Sequence, residues 1–348
     1  MQQLKCKSIK TYLHYFILLF GISNIGLCQE SSFEKKFSDE NLLTCVKDRL
    51  GKSTMTKKNL ETVRELHCSG KGIANLSGLE LMKSLEMLNL NENNIEKIDP
   101  LSNLNKLKNL GLDKNQVSNL TALKDIKSLT NLWIKGNKVV DLTPLKDLKN
   151  MSALVLNENG IKDIAALAGL TGLKRLWLAS NKIKEIDHLS PLVNLNILAL
   201  GNNKITKLPK LDGLNKLTGL DLNTNKLTDI TELKKLSSLV AINLDNNQIE
   251  KLEPLIEIET LNRLSANKNK IQNIDKIIAN LPNLVHIAVT DNNITKLATV
   301  TQAGKELKLK EKALYLSRNC IKGFPTKAVQ TSMKIKITEK EEQRTNCR

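Results

Sequence analysis

The sequence predicts an α/β solenoid: a horseshoe with a parallel concave β-sheet, short 3₁₀ turns on its convex side and a small helical cap at the amino end. Residues 173–186 (LKRLWLASNKIKEI) hold the frame L-x-x-L-x-L-x-x-N-x-I-x-x-I, which returns as LKNLGLDKNQVSNL at 107–120 and LTGLDLNTNKLTDI at 217–230. The asparagine of this frame stands at 93, 115, 137, 159, 181, 203, 225, 247 and 269, always 22 residues apart, and then at 292 and 319 after steps of 23 and 27. Apolar residues make up 41% of the 348 but aromatics only 3%, as suits a lattice of like-sized Leu, Ile and Val sites. An array of this kind escapes the size limit of a single core, because each unit buries itself only against its neighbours.

Taken in order, residues 1–28 read as an export signal. Lys5, Lys7 and Lys10 precede the apolar run YFILLFGISNIGL, which is too short for a comfortable membrane span. Cys28 follows Ile25-Gly26-Leu27. That resembles a bacterial lipobox, with Leu27 where a small residue is usual; either lipidation of Cys28 or ordinary cleavage nearby fits. Residues 29–65 read as a helical cap, with Asp39 at the N-cap and Leu42, Leu43, Val46 and Leu50 at helical spacing.

Residues 66–298 carry the repeats. In L-x-L both leucines fall on one side of a short strand and the intervening residue on the other. The asparagine turns inward, where its amide satisfies backbone groups that bend away from the sheet; leaving them unpaired would cost a few kcal/mol. Twenty-two residues leave room only for short turns on the return side. A period of about 20–29 residues with this pattern marks a leucine-rich repeat. Departures cluster at the ends: Lys71 stands where the first asparagine should be, and Ala266 replaces a leucine. Residues 299–348 read as an atypical last repeat (Leu314, Leu316, Asn319, Ile321, Phe324) and a carboxy-terminal cap, with an edge strand at 333–337.

Beyond Cys28 the cysteines lie two at each end of the array: Cys45 and Cys68, Cys320 and Cys347. An even, end-clustered set in an exported chain reads as disulfides Cys45–Cys68 and Cys320–Cys347, which would clamp the terminal repeats. The alternative for the first pair is buried free thiols. With His67, Cys45 and Cys68 supply too few ligands for zinc.

Function is to be sought on the outward strand positions. The central outward column includes Trp133, Val155 and Trp177, which lie on successive turns, so the two tryptophan backbones stand about 10 Å apart. Ile197, Ala153, Ala179 and Ala199 extend an apolar patch, and Arg175 and Lys135 edge it. Exposed tryptophan beside arginine is typical of binding hot spots. A polar stretch follows at Asp221, Asn223, Asn243, Asp245, Asn246, Ser265 and Asn267, and reads as a solvated face, with a glycan or cation site as the alternative. No histidine–nucleophile pair, phosphate-cradling loop or carboxylate pair in a cleft is present, so neither catalysis nor a cofactor or metal is expected. The formal charge of +17, of which +14 lies beyond residue 28, reads first as lysines solvating the outer rim of the array. The sharper alternative is a surface for anionic partners such as host glycans or anionic membranes. Nucleic acid is not expected, and a membrane only through a lipid anchor.

The frame, the cap segment FSDENLLTCVKDRLGK, the linker Val63-Arg64-Glu65-Leu66 and the phrase GKGIANLSGLELMKSLEMLNLNENNI together resemble the internalin-like leucine-rich-repeat proteins of bacteria, over about residues 39–300. The resemblance implies surface display and binding of host proteins along the concave sheet. No carboxy-terminal sorting signal or immunoglobulin-like domain follows the repeats, so lipid anchoring or release is the expected mode. The competing reading is a self-associating envelope protein with the tryptophans at the seam.

Overall fold

The computed structural model describes residues 33–295, 297, 312–321 and 335–338. The signal segment, Cys28, Phe324 and Cys347 lie outside the described residues.

The amino-terminal cap carries helix α1 (Glu40–Leu50), whose N-terminus is capped by Asp39. One carboxylate oxygen accepts from the backbone N–H of Asn41 and Leu42, both at 3.0 Å. The other accepts from Ala74 and Asn75 at 2.8 and 3.1 Å, so a single side chain ties the helix to the first repeat. Burial acts to raise the Asp39 pKa, but the four N–H donors outweigh it and hold the carboxyl below its ordinary value. Leu42, Cys45 and Val46 form the buried stripe of α1. A short helix α2 (Lys57–Thr62) follows, capped by Thr56. Cys45 is bonded to Cys68 across a sequence separation of 23, clamping α1 to the end of the first strand. Those sulfurs are therefore unavailable as metal ligands. Phe37 packs over Gly78, whose φ is 103° and where an added Cβ would come within 2.5 Å of the Phe37 ring, so only glycine fits.

From Glu65 onward the array unrolls as one sheet, parallel throughout, of thirteen strands among the described residues, in sequence order. Its strands are β1 (Glu65–His67), β2 (Met87–Asn89), β3 (Asn109–Gly111), β4 (Asn131–Trp133), β5 (Ala153–Val155), β6 (Arg175–Trp177), β7 (Ile197–Ala199), β8 (Gly219–Asp221), β9 (Ala241–Asn243), β10 (Arg263–Ser265), β11 (His286–Ala288), β12 (Lys312–Tyr315) and β13 (Ile335–Thr338). The last strand covers 335–337 of the expected 333–337, whose first two residues lie outside the described ones. Cys320 is disulfide-bonded.

Each three-residue strand buries its middle residue and leaves the two flanking ones outward, as in Arg175-Leu176-Trp177. The core is the stack of those middle residues with the other frame leucines and isoleucines, almost all fully buried. The asparagine ladder closes it. Asn181 donates to the carbonyls of Leu156 and Leu178 at 3.0 Å and accepts from Ile161 N–H at 3.1 Å. Asn93, Asn115, Asn225, Asn247 and Asn269 repeat the pattern. At the amino end, where Lys71 stands in the ladder position, the Asn93 oxygen serves Lys71 N–H and Ile73 N–H.

The residue before each asparagine is left-handed: ten non-glycine residues from Glu92 to Arg318, with φ between 52° and 59°, and Gly136. This sharp reversal lets the chain leave the strand and present the amide inward. The return side carries 3₁₀ turns such as Asp99–Leu101 and Ala165–Leu167. Helix α3 (Asp275–Asn280) is a correction to that pattern. The repeat there has the one extra residue, and Ile278 N–H reaches Ile274 carbonyl to complete an α-helical bond at 3.0 Å.

Candidate ligand-binding face

The parallel register places the predicted residues together. Trp133 pairs with Val155 and Val155 with Trp177, so the three stand side by side on adjacent strands. All three are half-buried. Trp177 continues onto Ala199, and Arg175 onto Ile197. Arg175 is exposed and sets its guanidinium 5.9 Å from the centre of the Trp177 ring, a cation–π contact that holds both side chains in place. Lys135 is more committed than its place at the patch edge suggested: its ammonium lies 3.1 Å from Glu158 Oε1.

The tryptophans divide the concave face into two hollows that reading the sequence missed. Trp133 walls the first, of about 290 Å³, with His67, Asn89, Gly111 and Asp113. Trp177 and Ile197 wall the second, of about 490 Å³, floored by Ala199, Gly219 and Ala241. Small residues make the second hollow. A Cβ on Gly219 would come within 2.8 Å of Ile197 Cδ1, so glycine there is what lets Ile197 lie over the neighbouring strand. The available signal was Gly or Ala at outward strand positions, readable only once Trp177 is known to stand beside them.

Beyond this the outward residues are polar and bonded to one another. Asp221 Oδ1 accepts from Asn223 N–H and from its side-chain amide. Asp245 Oδ1 accepts from Ser265 Oγ and Asn267 N–H, both at 2.7 Å. Asn267 Oδ1 accepts in turn from Thr290. In the first hollow Asp113 accepts from Lys135 N–H at 2.7 Å, yet burial raises its pKa above the ordinary carboxylate value. Among the described residues no three His, Cys, Asp or Glu side chains gather to hold a metal, and no helix is long and apolar enough to cross a membrane.

The pattern of the Leucine Rich repeats (2 copies) family matches residues 149–192, 171–213 and 193–235. No curated protein matches in sequence. Among solved structures, an internalin (InlF) of Listeria monocytogenes is 27% identical with a TM-score of 0.74, over 88% of this chain and 96% of its own. Internalin C2 of the same organism is 29% identical with a TM-score of 0.54, over 66% and 93%. A leucine-rich-repeat protein of Leptospira interrogans, 23% identical, shares the fold with a TM-score of 0.73 over 82% and 74%. In frame, ladder and similarity alike, the chain is an internalin-like leucine-rich-repeat protein.

Proposed function

We propose that this is an exported binding protein, displayed by a lipid anchor at Cys28 or released, that grips a protein ligand of a host through Trp133, Val155 and Trp177, with Arg175, Ile197 and Lys135 supporting. The observation that carries the reading is the unbroken run of half-exposed apolar side chains across β4 to β7, with a preformed hollow on each side. Aromatic anchors beside cavities are where binding energy concentrates, commonly 2 kcal/mol or more for each anchor removed. Similarity to two internalins supports the assignment to a binding class.

The test is a pull-down against host extracellular proteins, comparing the full chain with the double variant Trp133→Ala/Trp177→Ala. Loss of at least about a hundredfold in affinity with an unchanged unfolding midpoint is expected. Identified ligands that bind the folded double variant as well as the wild type would rule the site out. If the same variant instead converts a sedimenting dimer to a monomer, the patch is a self-association seam. The mass of the mature amino terminus reports lipidation separately, and an unmodified peptide starting at or after Gln29 would exclude it.

A further inference from the structure

The flank onto which the chain turns after each asparagine carries a second surface, separate from the concave patch. Lys162, Lys182, Lys184 and Lys204 line one open hollow of about 500 Å³, with Asp163 and Glu185 as its acids. Lys182, Lys204 and Lys226 each directly follow a ladder asparagine. They therefore form a row of ammoniums on consecutive turns, about 5 Å apart at the backbone.

Some lysines elsewhere in the array are paired across turns. Lys108 meets Glu86 and Lys114 meets Glu92 at 2.7 Å, and Lys135 meets Glu158 at 3.1 Å. On this flank none of the four hollow lysines makes an ion pair or side-chain hydrogen bond with a described residue. Asp163 and Glu185 make no ion pair with them, and Asp163 Oδ1 accepts instead from Ala165 N–H at 2.8 Å. The result is a strip of unpaired positive charge, several turns long, on a rigid lattice.

We infer that this strip binds a linear sulfated polysaccharide laid along the solenoid axis. A polysaccharide of that class carries anions at short regular intervals and needs no apolar insertion. Lysine ammoniums on flexible stems meet such anions as point charges without demanding one geometry. Two other polyanions fit less well. Single-stranded nucleic acid is held by basic grooves with aromatic stacking platforms, and the described tryptophans lie on the concave face instead. Charge alone draws a lysine cluster to an anionic membrane, but stable attachment takes a second, apolar anchor beside it. Among the described residues this flank exposes one large apolar side chain, Val140.

The experiment uses the full chain with heparin as probe, by titration calorimetry across a salt series. Lys182→Gln/Lys204→Gln is compared with Lys52→Gln/Lys58→Gln in the cap, which removes the same charge from exposed sites elsewhere. The flank pair should weaken heparin binding on the order of tenfold and lower the salt slope by roughly two. The cap pair should change it less than about twofold, and completely desulfated heparin should not bind. Equal loss from both pairs would mean that net charge alone attracts heparin, and would overturn the site. Equal binding of desulfated heparin, or displacement of heparin by single-stranded DNA or phosphatidylserine vesicles at similar concentration, would overturn the ligand class. Because these lysines lie off the concave sheet, heparin binding should survive Trp133→Ala/Trp177→Ala; its loss there would place the site on the wrong face.

Discussion

Strands β4 to β7 and strands β8 to β10 rest on one frame and present opposite surfaces. Under both, a leucine or isoleucine fills the core and an asparagine closes each turn. Above the first stands apolar surface with no partner, apart from Arg175 over Trp177 and Asn131, which donates to Asn109 Oδ1 at the edge of β4. Above the second, Asp221, Asp245 and Asn267 spend their acceptors on neighbouring Asn, Ser and Thr groups. A polar face that satisfies itself has little left to offer a ligand, whereas half-exposed tryptophan next to a hollow gains whenever something covers it.

The frame beneath the two stretches should break at equal cost. Asn181 and Asn247 are both at least nine-tenths buried, and each donates to the carbonyls two turns of the ladder share while accepting one N–H at about 3 Å. Either Asn→Ala should cost about 3 kcal/mol, since the buried N–H of Ile161 or Leu227 loses its only partner and two buried carbonyls each lose one of their two ladder donors. Urea unfolding checks this; costs differing by more than about 1 kcal/mol would show that the ladder is not uniform.

The faces, in contrast, should respond differently. Asp245→Ala removes the acceptor for Ser265 Oγ, Asn267 N–H and the Asn267 amide, and should cost about 2 kcal/mol of stability while leaving ligand affinity unchanged. Val155→Ala, half-exposed and without a polar partner, should cost about 1 kcal/mol or less in stability and act chiefly on binding. If Asp245→Ala instead weakens ligand binding as much as Val155→Ala does, the polar stretch belongs to the site.

How far the sequence discloses this molecule follows from the same division. The frame is legible because every turn needs the same inward groups: Leu176, Leu178 and Asn181 have no freedom to differ from their counterparts 22 residues away. Outward positions have that freedom, so Trp133 and Trp177 stand out only as exceptions, and the hollows beside them depend on what Gly111 and Gly219 lack. Helix α3 was hidden because one inserted residue is a spacing change, and its conversion of a 3₁₀ turn into an α-turn needs the backbone bond to be seen. The flank lysines were visible only as net charge, since pairing is a matter of which acids reach them.

The left-handed residue before each asparagine was equally invisible, because Glu, Lys, Ser, Asn and Thr all occupy it. Thr224 is the least suited, being β-branched at a φ of 52° in the turn that follows β8. Thr224→Gly should therefore raise stability by about 1 kcal/mol, seen as a higher urea midpoint. A lower midpoint would mean that the Thr224 side chain contributes more than its strain costs.

The smallest effect concerns Asp113, at the edge of the Trp133 hollow. Asn91 and Asn157 hold the corresponding place on other turns, and each accepts the next strand's N–H at 2.8 Å as a neutral side chain. Asp113 accepts the same bond from Lys135. Burial raises its pKa, and the Lys135 N–H and the ammoniums of Lys135 and Lys114 only partly offset this. A carboxyl whose folded pKa lies above its unfolded value of about 3.9 favours the native state when protonated. The native protein thus loses stability as pH rises from below the unfolded value through the raised folded value, and the full penalty remains at pH 7. Asp113→Asn keeps the hydrogen bond and removes the charge, so it should be the more stable protein at pH 7. That advantage should shrink as pH falls and vanish below the ordinary carboxylate range. Urea midpoints of both proteins between pH 3 and pH 8 measure it. A variant less stable at pH 7 would mean that attraction to Lys135 and Lys114 exceeds the cost of burying the charge, and that this end of the concave face is held by ion pairing.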